Sequence, residues 1–144
     1  MQRPETNVDP EPRNRTAALS VLVVDDFRDG ADSLADLLDV YGLRVQTAYD
    51  PTTALAAAPS DVVILELRLP EMTGWELVRR LRTRNADPRP LFIAVTTCGM
   101  EKDRLRSAEA GIDLHLVKPV EPSVLIGEMQ RLTRGRQADM FGTA

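Results

Sequence analysis

The sequence is poor in cysteine and histidine and has no long apolar segment. Of 144 residues one is cysteine, Cys98, and one is histidine, His115. A single thiol cannot form an internal disulfide, and nothing resembles a metal-binding cysteine cluster. No apolar run approaches the roughly 20 residues that cross a bilayer, and the N-terminus lacks the apolar core of a secretory signal. These absences predict a soluble, cytoplasmic protein with no membrane partner.

The chain also lacks an excess of positive charge. Lysine and arginine number 18 against 22 acidic residues, which gives a formal net charge of −4. This balance supplies no electrostatic reason to bind nucleic acid or an anionic membrane. The length suits one domain with tails. We expect that domain at residues 19–133, between flexible tails at 1–18, which is proline-rich and polar, and at 134–144.

Short β-branched apolar runs alternate with amphipathic stretches along the chain. The apolar runs predict buried strands at residues 21–24, 45–48, 62–65, 91–95 and 114–117. Helix signals follow them, for example Asp50 as a cap before Pro51, and the capping pattern from Thr73 to Glu76. Five such βα units predict an α/β fold, a doubly wound parallel sheet with helices on both faces and right-handed crossovers.

Polar residues follow four of these predicted strands. Asp25 and Asp26 follow the first, Glu66 the third, Thr96 the fourth and Lys118 the fifth. Ligands of parallel sheets bind outside the carboxyl ends of the strands. Converging carboxylates repel unless a cation lies among them, and oxygen ligands without cysteine or histidine favour Mg²⁺. Together with the Thr96 hydroxyl and the Lys118 ammonium group, these carboxylates predict a site that binds a phosphoryl group.

Each of these residues alone has an ordinary structural explanation. Asp25 and Asp26 taken alone are as well suited to capping the next helix as to forming a site. A residue such as Glu66 alone is more often a solvated loop acid, and one such as Lys118 alone is usually a surface charge. Their coincidence at strand ends is what favours a functional site.

Four sequence blocks contain these positions: Leu22-Val-Val-Asp-Asp26, Leu65-Glu-Leu-Arg-Leu-Pro70 with Gly74, Val95-Thr-Thr97 and Val117-Lys-Pro119. Together they resemble the receiver domain of two-component response regulators. The resemblance extends over residues 20–132. It implies a flavodoxin-like fold, similar to the chemotaxis regulators, in which a histidine kinase or phosphotransfer protein passes a phosphoryl group to a strand-end aspartate.

The resemblance also implies a role for each residue of the pocket. Asp26 is implied as a direct Mg²⁺ ligand, Asp25 as a ligand acting through water, and the backbone carbonyl of Arg68 as a further ligand. Thr96 is implied as the switch hydroxyl, and Lys118 as the lysine that pairs with the phosphoryl oxygens.

Glu66 departs from the family at its most important position. It stands where the family has the phosphoacceptor aspartate, and its carboxylate is also part of the expected metal site. The extra methylene moves the carboxylate about 1–1.5 Å outward, whereas a nucleophile must lie about 3–3.5 Å from phosphorus. We therefore predict little or no phosphotransfer. A carboxylate that reaches Thr96 or Lys118 would instead stand in for the phosphoryl group, with about one charge in place of nearly two.

Smaller features concern the same pocket. Thr97 is bulkier than the residue usual in the family after the switch threonine and would narrow access. His115 stands where the family commonly has a switch aromatic, and it is either a packed ring or a sensor whose protonation biases the switch. The resemblance implies a cis Lys118–Pro119 peptide. Cys98 is expected to be an inert thiol.

The expected function is signalling and not catalysis. Because only a short, weakly patterned segment follows the last predicted helix, we expect a stand-alone receiver that contacts a downstream protein, or a second copy in a homodimer, through residues 101–132. The alternative is a small aspartate-type phosphotransferase or phosphatase on the same fold, against which Glu66 and the lack of a cap domain argue. A flavin or nucleotide binder is disfavoured because the first strand lacks a phosphate-binding loop.

Overall fold

The computed structural model describes residues 19–84 and 89–141, with side chains described as far as residue 134. Its strands are β1 (Ser20–Val24), β2 (Arg44–Ala48), β3 (Val62–Leu65), β4 (Leu91–Thr96) and β5 (Leu114–Val117). Its helices are α1 (Arg28–Val40), α2 (Pro51–Ala56), α3 (Gly74–Arg84), α4 (Glu101–Ala110) and α5 (Pro122–Phe141). The strands are parallel in the order β2-β1-β3-β4-β5. The predicted α/β fold is confirmed.

The two faces of the sheet bury alternate residues of the same strands, as parallel strands covered on both sides do. In β1, Val21 and Val23 belong to one core, and Leu22 and Val24 to the other. The first core contains buried side chains of α1 and α5: Ala31, Leu38, Leu125, Ile126 and Met129. The second contains buried side chains of α2, α3 and α4: Ala54, Leu77, Val78, Leu81 and Ala110. The sheet is therefore doubly wound, with α1 and α5 on one face and the other helices opposite.

Local signals fix several helix ends. The Asp50 carboxylate accepts a hydrogen bond from the Thr53 N–H at 2.7 Å, which caps α2 as predicted. This bond holds the pKa of Asp50 below its ordinary value. Thr73 Oγ1 accepts from the Glu76 N–H at 3.2 Å and caps α3. Gly111 ends α4 with φ +98°, in the left-handed region that glycine adopts without strain.

The end of α5 differs from the boundary expected from the sequence. The expected domain end at Thr133 falls inside this helix, and the predicted C-terminal tail is helical as far as Phe141. The physical reason is that most of this segment favours helix, and the weak helix formers Gly135 and Asp139 are not enough to end it. The predicted N-terminal tail, residues 1–18, and residues 142–144 lie outside the described residues.

The strand order sets the position of the site. From β1 the sheet extends to β2 on one side and through β3, β4 and β5 on the other. The carboxyl ends of β1 and β3 therefore border the topological switch point at which open α/β sheets bind ligands. Among the described helices, none has both the length and the apolar composition required to cross a membrane.

Candidate functional site

The Glu66 carboxylate lies directly after β3, with 6% of the residue exposed. Its Oε2 accepts hydrogen bonds from the backbone N–H groups of Leu67 at 2.7 Å and Arg68 at 3.1 Å. The same oxygen accepts a hydrogen bond from the hydroxyl of Thr96, at the end of β4. Its Oε1 forms an ion pair with Lys118 Nζ at 3.0 Å. Both oxygens of this buried carboxylate are therefore bound by donors.

Lys118 links two of the predicted acids. Its Nζ lies 3.0 Å from Asp25 Oδ2 and 3.0 Å from Glu66 Oε1. Asp25 Oδ1 accepts a hydrogen bond from the Phe27 N–H at 3.0 Å, at the start of α1. The peptide between Lys118 and Pro119 is cis, as predicted. The ammonium group therefore supplies the positive charge between these two carboxylates.

Hydrogen bonds in this pocket outweigh the effect of burial on ionisation. Burial by itself raises the pKa of Glu66, but hydrogen bonds from Thr96, the Arg68 N–H and Lys118 hold that pKa below its ordinary value. Burial likewise lowers the pKa of Lys118, and its bonds to Asp25 and Glu66 more than reverse this, so the pKa is raised. Both shifts favour the charged forms of the pair.

The acids predicted as metal ligands do not form a common cluster. Asp26 is exposed, whereas Asp25 and Glu66 are both bound to Lys118. Among the residues that the structure describes, no three histidine, cysteine or acidic side chains are placed to hold one metal ion. In this arrangement the Lys118 ammonium lies between the carboxylates of Asp25 and Glu66. Ligation by Asp25, Asp26, Glu66 and the carbonyl of Arg68 stays a prediction.

The His115 ring is half-buried and hydrogen-bonded through both nitrogens. Nδ1 lies 2.8 Å from Ser107 Oγ on α4, and Nε2 lies 2.7 Å from the carbonyl oxygen of Cys98. Trp75 Nε1 donates to the same Ser107 Oγ at 2.9 Å. Since the carbonyl only accepts, the Nε2–H of His115 donates to Cys98, whereas the Ser107 hydroxyl, which accepts from the indole, can either donate to Nδ1 or accept from it. These bonds hold a packed ring in place, and a sensor role stays a prediction.

The sequence indicated the strand-end side chains but not the contacts around them. The backbone N–H of Cys98 donates to Thr96 Oγ1 at 3.1 Å and orients that hydroxyl. Ser107 was also missed. Its one signal is the helical spacing that places it on the buried face of α4 with Ala110. Cys98 is buried and Thr97 exposed, and their expected roles stay predictions.

Comparisons with known proteins agree with this fold. A family model described as the response regulator receiver domain matches residues 21–130. The sensory transduction protein RegX3 of Mycobacterium tuberculosis is 36% identical over 118 residues, which are 80% of this chain and 51% of RegX3. A 14.6 kDa protein of Leptolyngbya boryana is 32% identical over 118 residues, covering 80% of this chain and 90% of that protein.

Solved structures show the same likeness. The chemotaxis response regulator CheY4 of Vibrio cholerae has a TM-score of 0.73 and 31% identity, covering 79% of this chain and 98% of CheY4. The BeF3-activated receiver domain of DrrB, from Thermotoga maritima, has a TM-score of 0.75 and 26% identity, covering 81% of this chain and 98% of that domain. The chain spans about half the length of RegX3. It belongs to the response regulator receiver domain family.

Proposed function

We propose that this chain is a receiver module of two-component signalling in which Glu66 permanently supplies the negative charge that phosphorylation supplies in other receivers. The observation that carries the proposal is the set of donors on its carboxylate, which includes the Thr96 hydroxyl and the Lys118 ammonium. The family resemblance implies these same groups as partners of the phosphoryl oxygens. Because a carboxylate carries about one charge and a phosphate nearly two, the resulting bias on the switch is constant but weaker.

In this proposal Glu66 is a poor phosphoacceptor. Its Oε2 accepts three hydrogen bonds and its Oε1 is paired with Lys118, so neither oxygen is free to attack phosphorus. A nucleophile also needs in-line placement about 3–3.5 Å from the phosphorus atom. The same contacts argue against the alternative of a phosphotransferase or phosphatase, which needs a free nucleophile here. The proposed output is therefore binding and not catalysis.

The proposed partners follow from membership of the family. Upstream we propose a histidine kinase or phosphotransfer protein, and downstream a protein that contacts α4, β5 and α5. Leu105 on α4 and Val124 on α5 are large apolar side chains with 57% and 49% of their surface exposed, which suits a contact face. Action as a stand-alone module, homodimerisation through this face and a cytoplasmic location belong to the same proposal.

Intact-mass spectrometry after incubation with Mg²⁺ and acetyl phosphate tests the acceptor position. We expect the Glu66→Asp variant to gain one phosphoryl group and the unaltered chain to gain none. Glu66→Gln is the matched control, because labelling of that variant would reveal an acceptor elsewhere. Labelling of the unaltered chain but not of Glu66→Gln would show that Glu66 itself accepts phosphate and would overturn the proposal.

Trp75 fluorescence tests the bias on the switch. Trp75 is the single tryptophan of the chain, and Ser107 links its indole to His115. We expect the emission spectrum of the unaltered chain to resemble that of phosphorylated Glu66→Asp more than that of unphosphorylated Glu66→Asp. The opposite resemblance would contradict a permanent bias and leave Glu66 as a substitution that only disables transfer.

A further inference from the structure

A second concavity lies on the sheet face covered by α3 and α4, next to the Glu66 pocket. It has a volume of about 590 Å³ and is formed by the loops after β3 and β4, the start of α3, and α4. We call it the Arg106 groove, and its lining includes Leu67, Arg68, Trp75, Lys102, Asp103 and Arg106. Its volume lies within the range of about 300–1,000 Å³ that is typical of small-molecule sites.

Three cations of this groove lack acidic partners within the described part of the chain. The side chains of Arg68 and Lys102 form neither an ion pair nor a hydrogen bond there. Arg106 stacks on Trp75, with its guanidinium carbon 4.1 Å from the ring centroid. Stacking uses the face of the guanidinium and leaves its N–H edges available to a ligand.

Two acidic side chains close to the groove, those of Asp103 and Glu76, have bonds of their own. Asp103 Oδ2 accepts a hydrogen bond from the Met100 N–H at 3.1 Å. On α3, Glu76 Oε2 pairs with Arg80 Nε at 3.1 Å. The lining therefore has three cations against the one carboxylate of Asp103 and keeps a local excess of positive charge, although the formal net charge of the chain is −4. Such a local reversal of charge attracts anions to this surface.

We propose that the Arg106 groove binds a small anion with at least two phosphate groups, such as a diphosphate or a nucleoside diphosphate. The forked guanidinium groups of Arg68 and Arg106 are suited to bidentate contacts with phosphate oxygens, and the Lys102 ammonium acts as a compact charge. These cations come from two segments, the β3–α3 loop and α4. That spread suits a ligand whose charge is distributed over neighbouring phosphate groups.

A ligand in the groove would contact segments that also hold the Glu66 pocket. The Arg68 side chain lines the groove, while its backbone N–H donates to Glu66 Oε2 at 3.1 Å. Arg106 covers the ring of Trp75, so an anion bound to Arg106 is expected to change the emission of this single tryptophan. The proposed anion site does not depend on the function proposed for Glu66.

Isothermal titration calorimetry with the full chain tests the site, with Trp75 fluorescence as a second readout. Pyrophosphate and ADP are titrated separately, at constant ionic strength and with EDTA to exclude divalent cations. We expect saturable binding of both, weakened about tenfold in Lys102→Gln and in Arg68→Gln by the loss of one charge-assisted contact. Arg131→Gln is the control, since it removes the same charge from α5, where Arg131 Nε pairs with Glu128 at 3.0 Å.

The outcomes separate the sources of the phosphate groups. Equal affinity for pyrophosphate and ADP means that the groove recognises the phosphate groups alone. Tighter binding of ADP means that its nucleoside also contacts the groove. Either result supports the proposal. Lack of saturable binding, or equal weakening in Arg131→Gln, would overturn it. Binding of a poly-glutamate peptide that depends on Lys102, without binding of pyrophosphate, would also overturn it and assign the groove to an acidic protein segment.

Discussion

The Glu66 pocket and the Arg106 groove are neighbours that differ in whether their charged side chains form ion pairs within the fold. In the pocket, Lys118 Nζ lies 3.0 Å from both Asp25 and Glu66, so each of these charges has an ionic partner within the fold. In the groove, Arg68 and Lys102 have no ionic partner among the described residues. Charges that the fold pairs affect its stability when they are removed, whereas charges that it leaves unpaired affect binding. This difference can be tested by substitution.

Loss of the pocket cation should have the largest effect on stability. Lys118→Met leaves the carboxylates of Asp25 and Glu66 without their shared counter-ion, and we expect the free energy of unfolding to fall by about 2–3 kcal/mol. Arg131→Met, which breaks an exposed pair with Glu128, should cost less than about 1 kcal/mol. Urea unfolding of both variants measures the difference. Equal losses would show that the pocket charges stabilise the fold no more than surface charges do.

The backbone beneath the pocket should be the next most sensitive feature. A Cβ at Gly74 would lie 2.6 Å from the carbonyl oxygen of Glu66 and 2.9 Å from Leu67 Cα, both backbone atoms. Gly74→Ala must therefore displace the segment that donates to the Glu66 carboxylate, and we expect a loss of about 2 kcal/mol.

Gly127 on α5 is the matched control for this substitution. A Cβ there meets nothing within 4 Å, its own helix backbone aside. Gly127→Ala should therefore stabilise the protein by about 0.5–1 kcal/mol, because alanine favours helix. Thermal unfolding compares the two variants, and a neutral result for Gly74→Ala would mean that the loop absorbs the methyl group without strain.

Most of the fold could be predicted because its signals are local. The continuous apolar run at residues 62–65 gave the bounds of β3, and Asp50 and Thr73 marked helix starts through their capping side chains. The end of α5 could not be placed in this way. A single glycine at residue 135 weakens a helix without ending it, and the outcome depends on the sum of small propensities along the segment.

The pocket was predictable only as far as topology brings side chains together. Parallel strands present their carboxyl ends at one edge, so Glu66, Thr96 and Lys118 were expected as neighbours. The donors at Leu67 and Arg68 were not, because nearly every residue carries a backbone N–H and such a donor has no sequence signal. The distribution of charge was equally hidden, since composition gives the net charge and not which cations remain unpaired.

Acid should remove the contribution of Glu66 to stability. Its pKa is lower in the folded protein than in the unfolded chain, so the contribution is present above the unfolded pKa and is lost as pH falls through the folded pKa. At pH 7, Glu66→Gln should be less stable by about 1–2 kcal/mol. The two proteins should converge in urea unfolding as pH falls below the ordinary pKa of a glutamate and through the lowered pKa of Glu66. Asp26→Asn controls for an exposed carboxylate, and a difference that is independent of pH would contradict the assigned bonds.

A smaller effect is expected from the bonds that join the two regions. Ser107→Ala removes the partner of Trp75 Nε1 and of His115 Nδ1, and should cost about 1 kcal/mol. His115→Phe removes the ring nitrogen that Ser107 binds. The double variant should therefore lose less free energy of unfolding than the sum of the losses in the two single variants. Denaturant unfolding of the cycle measures the coupling. Additive losses would show that the two hydrogen bonds act independently.

The smallest effect on stability should come from the groove itself. Lys102→Gln and Arg68→Gln remove cations that the described fold does not pair, so each should change the free energy of unfolding by less than about 0.5 kcal/mol. A small increase in the free energy of unfolding would reflect relief of the repulsion between these like charges, and added salt should abolish that increase. Pyrophosphate should then raise the melting temperature of the unaltered chain more than that of Lys102→Gln, because a ligand stabilises the state that binds it. Equal shifts in both proteins would mean that Lys102 does not contact the anion, and a large intrinsic loss in Lys102→Gln would mean that this cation serves the fold after all.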